Sequence, residues 1–201
     1  MLKNNKILLA SSNQGKIREF KKIFKRFDLI SQVDLGINDV VEDGISFFEN
    51  ALKKARHGSN KSGLLTVADD SGLVVPDLDY GPGIYSARYA GEGASDKDNR
   101  DKIIDELNKK NISSLHAFYI CVLVGVRSDL DPIPLYSVGE IHGKISTKSS
   151  GDGGFGYDKI FYPDGYDISM ASIDSDEKNK ISHRAIAAKS FIKKLEKLYS
   201  K

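Results

Sequence analysis

The stretch Ala117-Phe-Tyr-Ile-Cys-Val-Leu-Val-Gly-Val126 decides the fold class of this chain. Its residues are all apolar or glycine, and many of them are β-branched or aromatic. Such a run is typical of a strand that is covered on both faces by other parts of the protein. The sequence therefore predicts a buried sheet with residues 117–126 as its central strand.

Strand and helix patterns alternate before this run, and longer strands follow it. We predict strands at residues 6–10, 29–33, 64–68, 135–141 and 160–162. Helices are predicted after residue 16, after the capping box of Ser46 and Glu49, after Ser95, and from Ser182 to Tyr199. This order predicts an α/β fold with a mixed sheet.

Composition and charge limit the possible partners. The chain has 201 residues, of which 40% are hydrophobic and 29% charged, as in ordinary globular proteins. A net charge of +2 leaves no large field for holding a nucleic-acid backbone. The apolar run at residues 7–10 is too short for a signal peptide or a membrane span, and a single cysteine allows no internal disulfide. We expect one cytoplasmic domain over residues 1–201, with neither nucleic acid nor membrane as a partner.

The first stretch that could carry chemistry is Ser11-Ser12-Asn13-Gln14-Gly15-Lys16. It joins a predicted strand to a predicted helix, so backbone N–H groups at the helix start face outward and the helix dipole favours an anion there. It is not a P-loop, because the spacing Gly-x4-Gly-Lys-Ser/Thr is absent. The alternative is an ordinary helix N-cap with a solvated lysine.

Two adjacent acids, Asp69 and Asp70, follow the predicted strand at residues 64–68. Carboxylates beside a buried strand are costly unless something positive lies with them. Mg²⁺ prefers carboxylate oxygens and usually combines one or two of them with phosphate oxygens. The alternative is an Asp-rich turn whose acids accept hydrogen bonds from the local backbone. Glu42, in a loop before the Ser46 helix, would by itself be interpreted as a surface acid.

A glycine-rich loop and the start of the last helix complete the set. Residues 151–156 contain Gly-x-Gly-x-x-Gly, but extended chain follows it, which excludes a dinucleotide-binding fingerprint. Phe155 or Tyr157 could present a ring to a base, and the alternative is a loop with one ring in the core.

His183 and Arg184 are predicted in the first turn after Ser182. Positive charge there opposes the helix dipole unless an anion is bound nearby. Together the motifs suit phosphoryl chemistry on a nucleotide.

Taken in order, six motifs make the chain resemble the inosine triphosphatase (non-canonical purine NTP pyrophosphatase, Ham1-like) family. They are Ser12-Asn13-x-x-Lys16-x-x-Glu19, Ser46-Phe47-x-Glu49-Asn50-Ala51, Asp69-Asp70-Ser71-Gly72-Leu73, Pro82-Gly83-Ile84-Tyr85-Ser86-Ala87-Arg88-Tyr89-Ala90-Gly91, Gly153-Gly154-Phe155-Gly156-Tyr157-Asp158 and Ser182-His183-Arg184. The motifs extend over nearly the whole chain, and the six together are far more specific than any one of them.

The resemblance implies a homodimeric α/β protein whose elongated mixed sheet is flanked by helices, with an active-site cleft between two lobes. It also implies Mg²⁺-dependent hydrolysis of ITP, dITP and XTP to the monophosphate and pyrophosphate, which removes deaminated purines from the nucleotide pool. By the family pattern, Asp70, helped by Asp69, activates the attacking water, and Glu42 and Asp70 bind Mg²⁺. The implied substrate contacts are Ser11, Ser12, Asn13, Gln14, Gly15 and Lys16 for the phosphates, Ser71, Phe155 stacked on the base, and Gly156, Tyr157, Asp158, Lys178, His183 and Arg184.

Two alternative functions stay open from the sequence. A Maf-like pyrophosphatase would act on other modified nucleotides, and the Phe155 and Ser182-His183-Arg184 stretches argue against it. A nucleotide-binding protein without turnover is the second alternative. Binding alone does not need two acids beside a triphosphate, so the presence of Asp69 and Asp70 together with Glu42 and Lys16 favours an enzyme.

Overall fold

The protein is built on a mixed sheet whose strands are connected by helices and loops. The computed structural model of the chain describes residues 6–199, the last of them by its backbone alone. Within these residues the strands are β1 (Lys6–Leu9), β2 (Asp28–Ser31), β3 (Thr66–Val74), β4 (Ser114–Val126), β5 (Leu135–Ser146) and β6 (Phe161–Pro163). The helices are α1 (Gln14–Ile23), α2 (Phe47–Ser62), α3 (Asp96–Lys109), α4 (Ser175–Ile181) and α5 (His183–Tyr199).

The strands form one sheet in the order β2-β1-β3-β4-β5-β6. β1 pairs in parallel with both β2 and β3, whereas β5 and β6 are antiparallel, with Lys144 opposite Tyr162. The predicted α/β class with a mixed sheet is confirmed. The prediction of a central strand at residues 117–126 is also confirmed, since β4 lies between β3 and β5.

The described chain divides into two compact units, each with its own apolar core. The first unit comprises residues 6–70, 121–139 and 183–199, and the second comprises residues 71–120 and 140–182. The core of the first unit includes Phe20, Leu123 and Phe191, and that of the second includes Leu107 and Phe161. The predicted single domain includes residues 1–5, 200 and 201, which lie outside the described part, so that boundary stays a prediction.

The predicted end of the third strand at Ala68 is wrong. β3 continues to Val74, so Asp69 and Asp70 lie inside the strand instead of following it. The strand can continue because both carboxylates have side-chain partners from other parts of the first unit, which offset the cost of burying charge.

The start of α1 and the presence of α4 also differ from the prediction. Asn13 caps α1, because its side chain accepts a hydrogen bond of 3.1 Å from the Lys16 backbone N–H. The helix therefore begins at Gln14 and not after Lys16. α4 is a short helix that was not predicted from the sequence, and Ser182 lies at its C-terminal end, directly before α5. None of the helices in residues 6–199 combines the length and apolar character that crossing a membrane requires.

Candidate functional site

The polar stretch at residues 11–16 is tied into the first unit at several points. The Ser12 hydroxyl donates to Asp39 at 2.8 Å, and the Gln32 side-chain amide donates to the other oxygen of the same carboxylate. Lys16 lies in the first turn of α1, and its ammonium is 2.9 Å from a carboxylate oxygen of Asp69. The N-cap alternative is thus correct for Asn13, but the solvated lysine it implied is wrong. The helix start presents backbone N–H groups beside a fixed positive charge, which is a suitable place for an anion.

Asp69 and Asp70 are both buried, with exposed fractions of 1% and 5%. Asp70 accepts a hydrogen bond of 3.1 Å from the side-chain amide of Asn50 on α2. Lys54, one turn further along α2, places its ammonium 3.0 Å from Glu42 and 3.8 Å from Asp70. The Asp-rich turn proposed as an alternative is therefore wrong, because these acids contact side chains that are distant in sequence.

The two adjacent aspartates have pKa values shifted in opposite directions. Burial alone would raise the pKa of Asp69, but the positive charges of Lys16, Lys54 and Arg184 outweigh it and lower that pKa to about 2. Burial raises the pKa of Asp70, Glu42 adds to the increase, and Lys54 and Lys16 offset only part of it. Asp69 is thus a stable anion, whereas Asp70 is the better proton acceptor of the two near neutral pH.

Asn50 connects Asp70 to the loop that carries Glu42. Its side-chain oxygen accepts a hydrogen bond of 2.8 Å from the backbone N–H of Gly44, while its amide nitrogen donates to Asp70. A side chain at residue 44 would have its Cβ 2.7 Å from that Asn50 oxygen, so the loop can approach α2 only with glycine there. This contact explains how Glu42, which follows no regular element, is held on the same side of α2 as Asp70.

Glu42 and Asp70 provide a donor set that fits a magnesium ion. Their carboxylates converge on one positive group, the ammonium of Lys54, and carboxylate oxygens are the ligands that Mg²⁺ prefers. In residues 6–199 no group of three or more histidine, cysteine, aspartate or glutamate side chains is placed to hold a metal. The protein would therefore hold the ion by these two acids, with phosphate and water oxygens completing its shell.

The start of α5 brings His183 and Arg184 into the first unit as buried residues. The Arg184 guanidinium donates a hydrogen bond of 3.0 Å to Glu19 on α1, and its charge helps to lower the pKa of Asp69. Gly139 in β5 permits the close approach of this helix, because a side chain there would collide with the backbone of His183 and Ala187. The positive charge at this helix start is thus held among the same residues as the acids.

In the second unit, the residues predicted to contact the base are organised by Asp158. One oxygen of its buried carboxylate accepts hydrogen bonds from the Lys178 ammonium at 2.6 Å and from the Phe155 backbone N–H at 2.9 Å. The Tyr119 hydroxyl donates to the other oxygen at 3.3 Å. Asp158 therefore fixes both Lys178 and the loop that carries Phe155.

The two aromatic residues of this loop have different surroundings. Tyr157 is 3% exposed, and its hydroxyl donates to the Ser86 carbonyl at 2.7 Å, so it is the ring that lies in the core. Phe155 is only partly buried, with the Lys178 ammonium 5.2 Å from its ring centre. Gly156 has a positive φ of 60°, and its backbone N–H donates to Asp96. The loop therefore places the Phe155 ring beside a lysine, whereas the Tyr157 ring lies in the core.

Comparison with known proteins identifies the family of the chain. A model of the Ham1 family matches residues 7–194. The chain belongs to the Ham1 family. The predicted family resemblance is confirmed by this match.

Other Ham1-like proteins are similar over nearly their whole length. A Legionella pneumophila (strain Paris) protein named dITP/XTP pyrophosphatase is 45% identical over 181 residues, which cover 90% of this chain and 93% of the relative. The structure of a HAM1 protein from Coxiella burnetii has a TM-score of 0.87 at 36% identity and covers 96% of this chain and 98% of that one. The Ham1 protein of Staphylococcus aureus has a TM-score of 0.84 at 38% identity, with coverage of 96% and 99%.

Two residues of the candidate site, Lys54 and Asn50, were not predicted as site residues from the sequence. Lys54 was not selected because lysines on an amphipathic helix are usually solvated, yet its side chain is only 12% exposed. Asn50 is 1% exposed on the inner face of α2, and a polar residue at an inward position was the signal that could have identified it. Ser71 follows Asp70 inside β3 and is partly buried, so the substrate contact implied for it stays a prediction.

Proposed function

We propose that this Ham1 protein hydrolyses non-canonical purine nucleoside triphosphates such as dITP and XTP to the monophosphate and pyrophosphate. The observation that carries the proposal is the cluster in the first unit, where Glu42, Asp69 and Asp70 lie against the ammonium groups of Lys16 and Lys54. Acids for a metal beside cations for phosphates are the components that phosphoryl transfer requires. The relatives named dITP/XTP pyrophosphatase support the choice of substrate.

In the proposed reaction, the residues at the start of α1 bind the phosphates. Lys16 and the backbone N–H groups of the first turn neutralise and orient the phosphate chain. A magnesium ion, when bound by Glu42 and Asp70, supplies a Lewis acid and neutralises developing charge. Asp70 accepts the proton of the water that attacks the α-phosphorus, and pyrophosphate leaves toward the positive side chains. Asp69 stays ionised and keeps Lys16 in place.

The base is selected by the loop of the second unit in this proposal. Phe155 stacks on the purine, and Lys178, fixed by Asp158, donates to an acceptor on the base. A 6-keto purine presents an oxygen acceptor where adenine presents an amino group. Adenine would leave the donor unpaired, which lowers the affinity of the site for ATP.

One assay tests the reaction and the substrate class together. Purified protein is given ITP, XTP, dITP, ATP, GTP or dTTP, with Mg²⁺ or with EDTA, and pyrophosphate and orthophosphate are measured separately. We expect pyrophosphate from the first three nucleotides and no turnover in EDTA. Release of orthophosphate, a preference for ATP, or full activity in EDTA would contradict the proposal, and a preference for dTTP would favour a Maf-like enzyme.

The role of Asp70 is tested by Asp70→Asn. This change keeps the hydrogen-bonding shape but removes the proton acceptor, so we expect kcat to fall by at least about 100-fold. Circular dichroism should show an unchanged fold. Retention of the wild-type kcat by the folded variant would exclude Asp70 as the base.

The homodimer implied by the family resemblance and the cytoplasmic location expected from composition both stay predictions. Sedimentation velocity at two protein concentrations measures the first. We expect a species of twice the 22.2 kDa chain mass at both concentrations, and a monomer at both would contradict it.

A further inference from the structure

The ammonium of Lys54 lies against the two carboxylates to which the proposed function assigns magnesium. It is 3.0 Å from the nearer oxygen of Glu42 and 3.8 Å from the nearer oxygen of Asp70. The lysine side chain is 12% exposed and that of Asp70 is 7% exposed, so water screens this contact poorly. A positive charge of the protein itself is therefore already present where the metal would bind.

The charges around Glu42 and Asp70 show why a positive group such as the Lys54 ammonium is needed in the metal-free protein. Lys16 is engaged with Asp69, which directly precedes Asp70 in β3. If Lys54 were neutral, Asp70, whose side chain is 7% exposed, would lie beside the like charge of Glu42, whose side chain is 33% exposed, and loss of the counter-charge next to a buried carboxylate is destabilising. Lys54 thus does in the metal-free protein what a cation would do in the metal-bound protein.

We propose that Lys54 is an internal counter-ion that competes with magnesium for Glu42 and Asp70, and that nucleotide binding relieves this competition. The inference rests on the proposed function, because it takes these two acids as the metal ligands. An ammonium and a divalent cation repel each other strongly at a few ångströms in a medium of low dielectric constant. Binding of magnesium must therefore move the Lys54 ammonium away from the carboxylates.

The displaced ammonium needs a new anion, and the phosphates of the substrate provide it. Lysine carries its charge on a flexible four-carbon chain, so it can exchange one anionic partner for another by rotation of its side chain. Magnesium alone should bind weakly, since it leaves Lys54 without a partner, whereas magnesium with a nucleotide should bind well. By linkage, the nucleotide must then strengthen magnesium binding by the same factor as magnesium strengthens nucleotide binding.

The adjacent lysine on the same helix offers a matched control. Lys53 also pairs with a carboxylate, but with that of Asp43, and its side chain is 38% exposed. Within residues 6–199 it forms no ion pair with Glu42 or Asp70. Lys53→Met therefore removes the same charge from the same helix without touching the proposed metal ligands.

The experiment measures metal binding and stability without using turnover. Magnesium affinity of the full chain is measured by titration calorimetry, alone and with an α,β-methylene analogue of ITP, for wild type, Lys54→Met and Lys53→Met. We expect Lys54→Met to bind magnesium alone about tenfold more tightly and to lose most of the strengthening by the nucleotide analogue. In EDTA the same variant should melt at least about 5 °C lower than wild type. Lys53→Met should resemble wild type in all three measurements.

Further variants keep the inference falsifiable if Lys54→Met does not fold. Lys54→Gln retains a polar group of similar length, and Lys54→Arg retains the charge, so only the first should tighten magnesium binding. Magnesium affinity that is unchanged, weaker or unmeasurable in the folded neutral variants would overturn the inference. Failure of wild type to release pyrophosphate would instead overturn the proposed function, because the calorimetric and melting differences do not depend on turnover.

Discussion

At the scale of single residues, Asp69 and Asp70 show how neighbours in one strand acquire different chemistry. Both are buried in β3, so burial acts on both in the same direction. Asp69 lies 2.9 Å from Lys16 and also experiences the charges of Lys54 and Arg184, which keep it ionised. Asp70 shares Lys54 with Glu42, and its pKa is raised. The partners, and not the residue type, separate a structural anion from a candidate base.

The lowered pKa of Asp69 predicts a pH-dependent contribution to stability. Its pKa falls from an ordinary 3.8 to about 2, so the ionised form stabilises the folded state above pH 4 and this effect is lost as the pH falls toward 2. We expect the loss to be on the order of 2 kcal/mol, with about half of it complete at pH 3. Urea unfolding in EDTA at pH 7, 4 and 3 measures the free-energy difference between wild type and Asp69→Asn, which should shrink as the pH falls.

The control for this prediction is an exposed acid. Asp105 lies on the exposed side of α3, and Asp105→Asn should change the unfolding free energy by less than about 0.5 kcal/mol. A wild-type to Asp69→Asn difference that stays constant from pH 7 to pH 3 would show that the pair with Lys16 does not lower the pKa of Asp69.

Residue types could be predicted from the sequence more readily than residue partners. Asp69, Asp70, Lys16 and the Phe155 loop were identified because unusual residue types lie next to strand and helix boundaries. Lys54 was missed because nothing in a helical pattern distinguishes a lysine that is folded inward over a carboxylate from one in solvent. That difference depends on contacts between α2, β3 and the Glu42 loop, which are distant in sequence.

At the scale of elements, the approach of β5 to α5 decides where His183 and Arg184 lie. Ser137 donates its hydroxyl hydrogen to the Ala187 carbonyl at 2.8 Å, and Gly139 leaves no Cβ between the strand and the helix backbone.

Strand boundaries were harder to predict than strand positions. Apolar periodicity ends where polar site residues begin, although the backbone hydrogen bonds of the strand continue. β3 is the example, since Asp69 and Asp70, which the sequence placed after the strand, lie in its middle.

We predict that Gly139→Ala destabilises the protein and disturbs the start of α5. The added methyl group would collide with the backbone of His183 and Ala187, and overpacking of this kind costs roughly 1–3 kcal/mol. Val138→Ala is the matched control, because this adjacent β5 side chain is 44% exposed and should cost less than about 0.5 kcal/mol. Urea unfolding compares the two variants, and equal stabilities would mean that β5 and α5 can separate without cost.

At the scale of the whole molecule, the candidate site residues are divided between two units, each with its own apolar core. The acids and the residues predicted to bind phosphate, from Lys16 to Arg184, belong to the first unit, whereas Phe155, Asp158 and Lys178 belong to the second. Both groups of residues were identified from the order of motifs along the chain. That order could not give this division, because the first unit is assembled from three separate segments of the chain.

This division predicts that variants of the two units respond differently to a substrate without a base. Loss of the ring in Phe155→Ala should remove stacking worth about 1–3 kcal/mol, and so lower kcat/KM for XTP and ITP by about tenfold or more. Ribose 5-triphosphate offers nothing to stack on, so its kcat/KM should be the same in wild type and Phe155→Ala. Asp70→Asn, in contrast, acts on the water and should lower kcat for both substrates. If Phe155→Ala slowed both substrates equally, its ring would be supporting the fold and not the base, and melting temperatures of the variants would distinguish that case because only a structural ring lowers them.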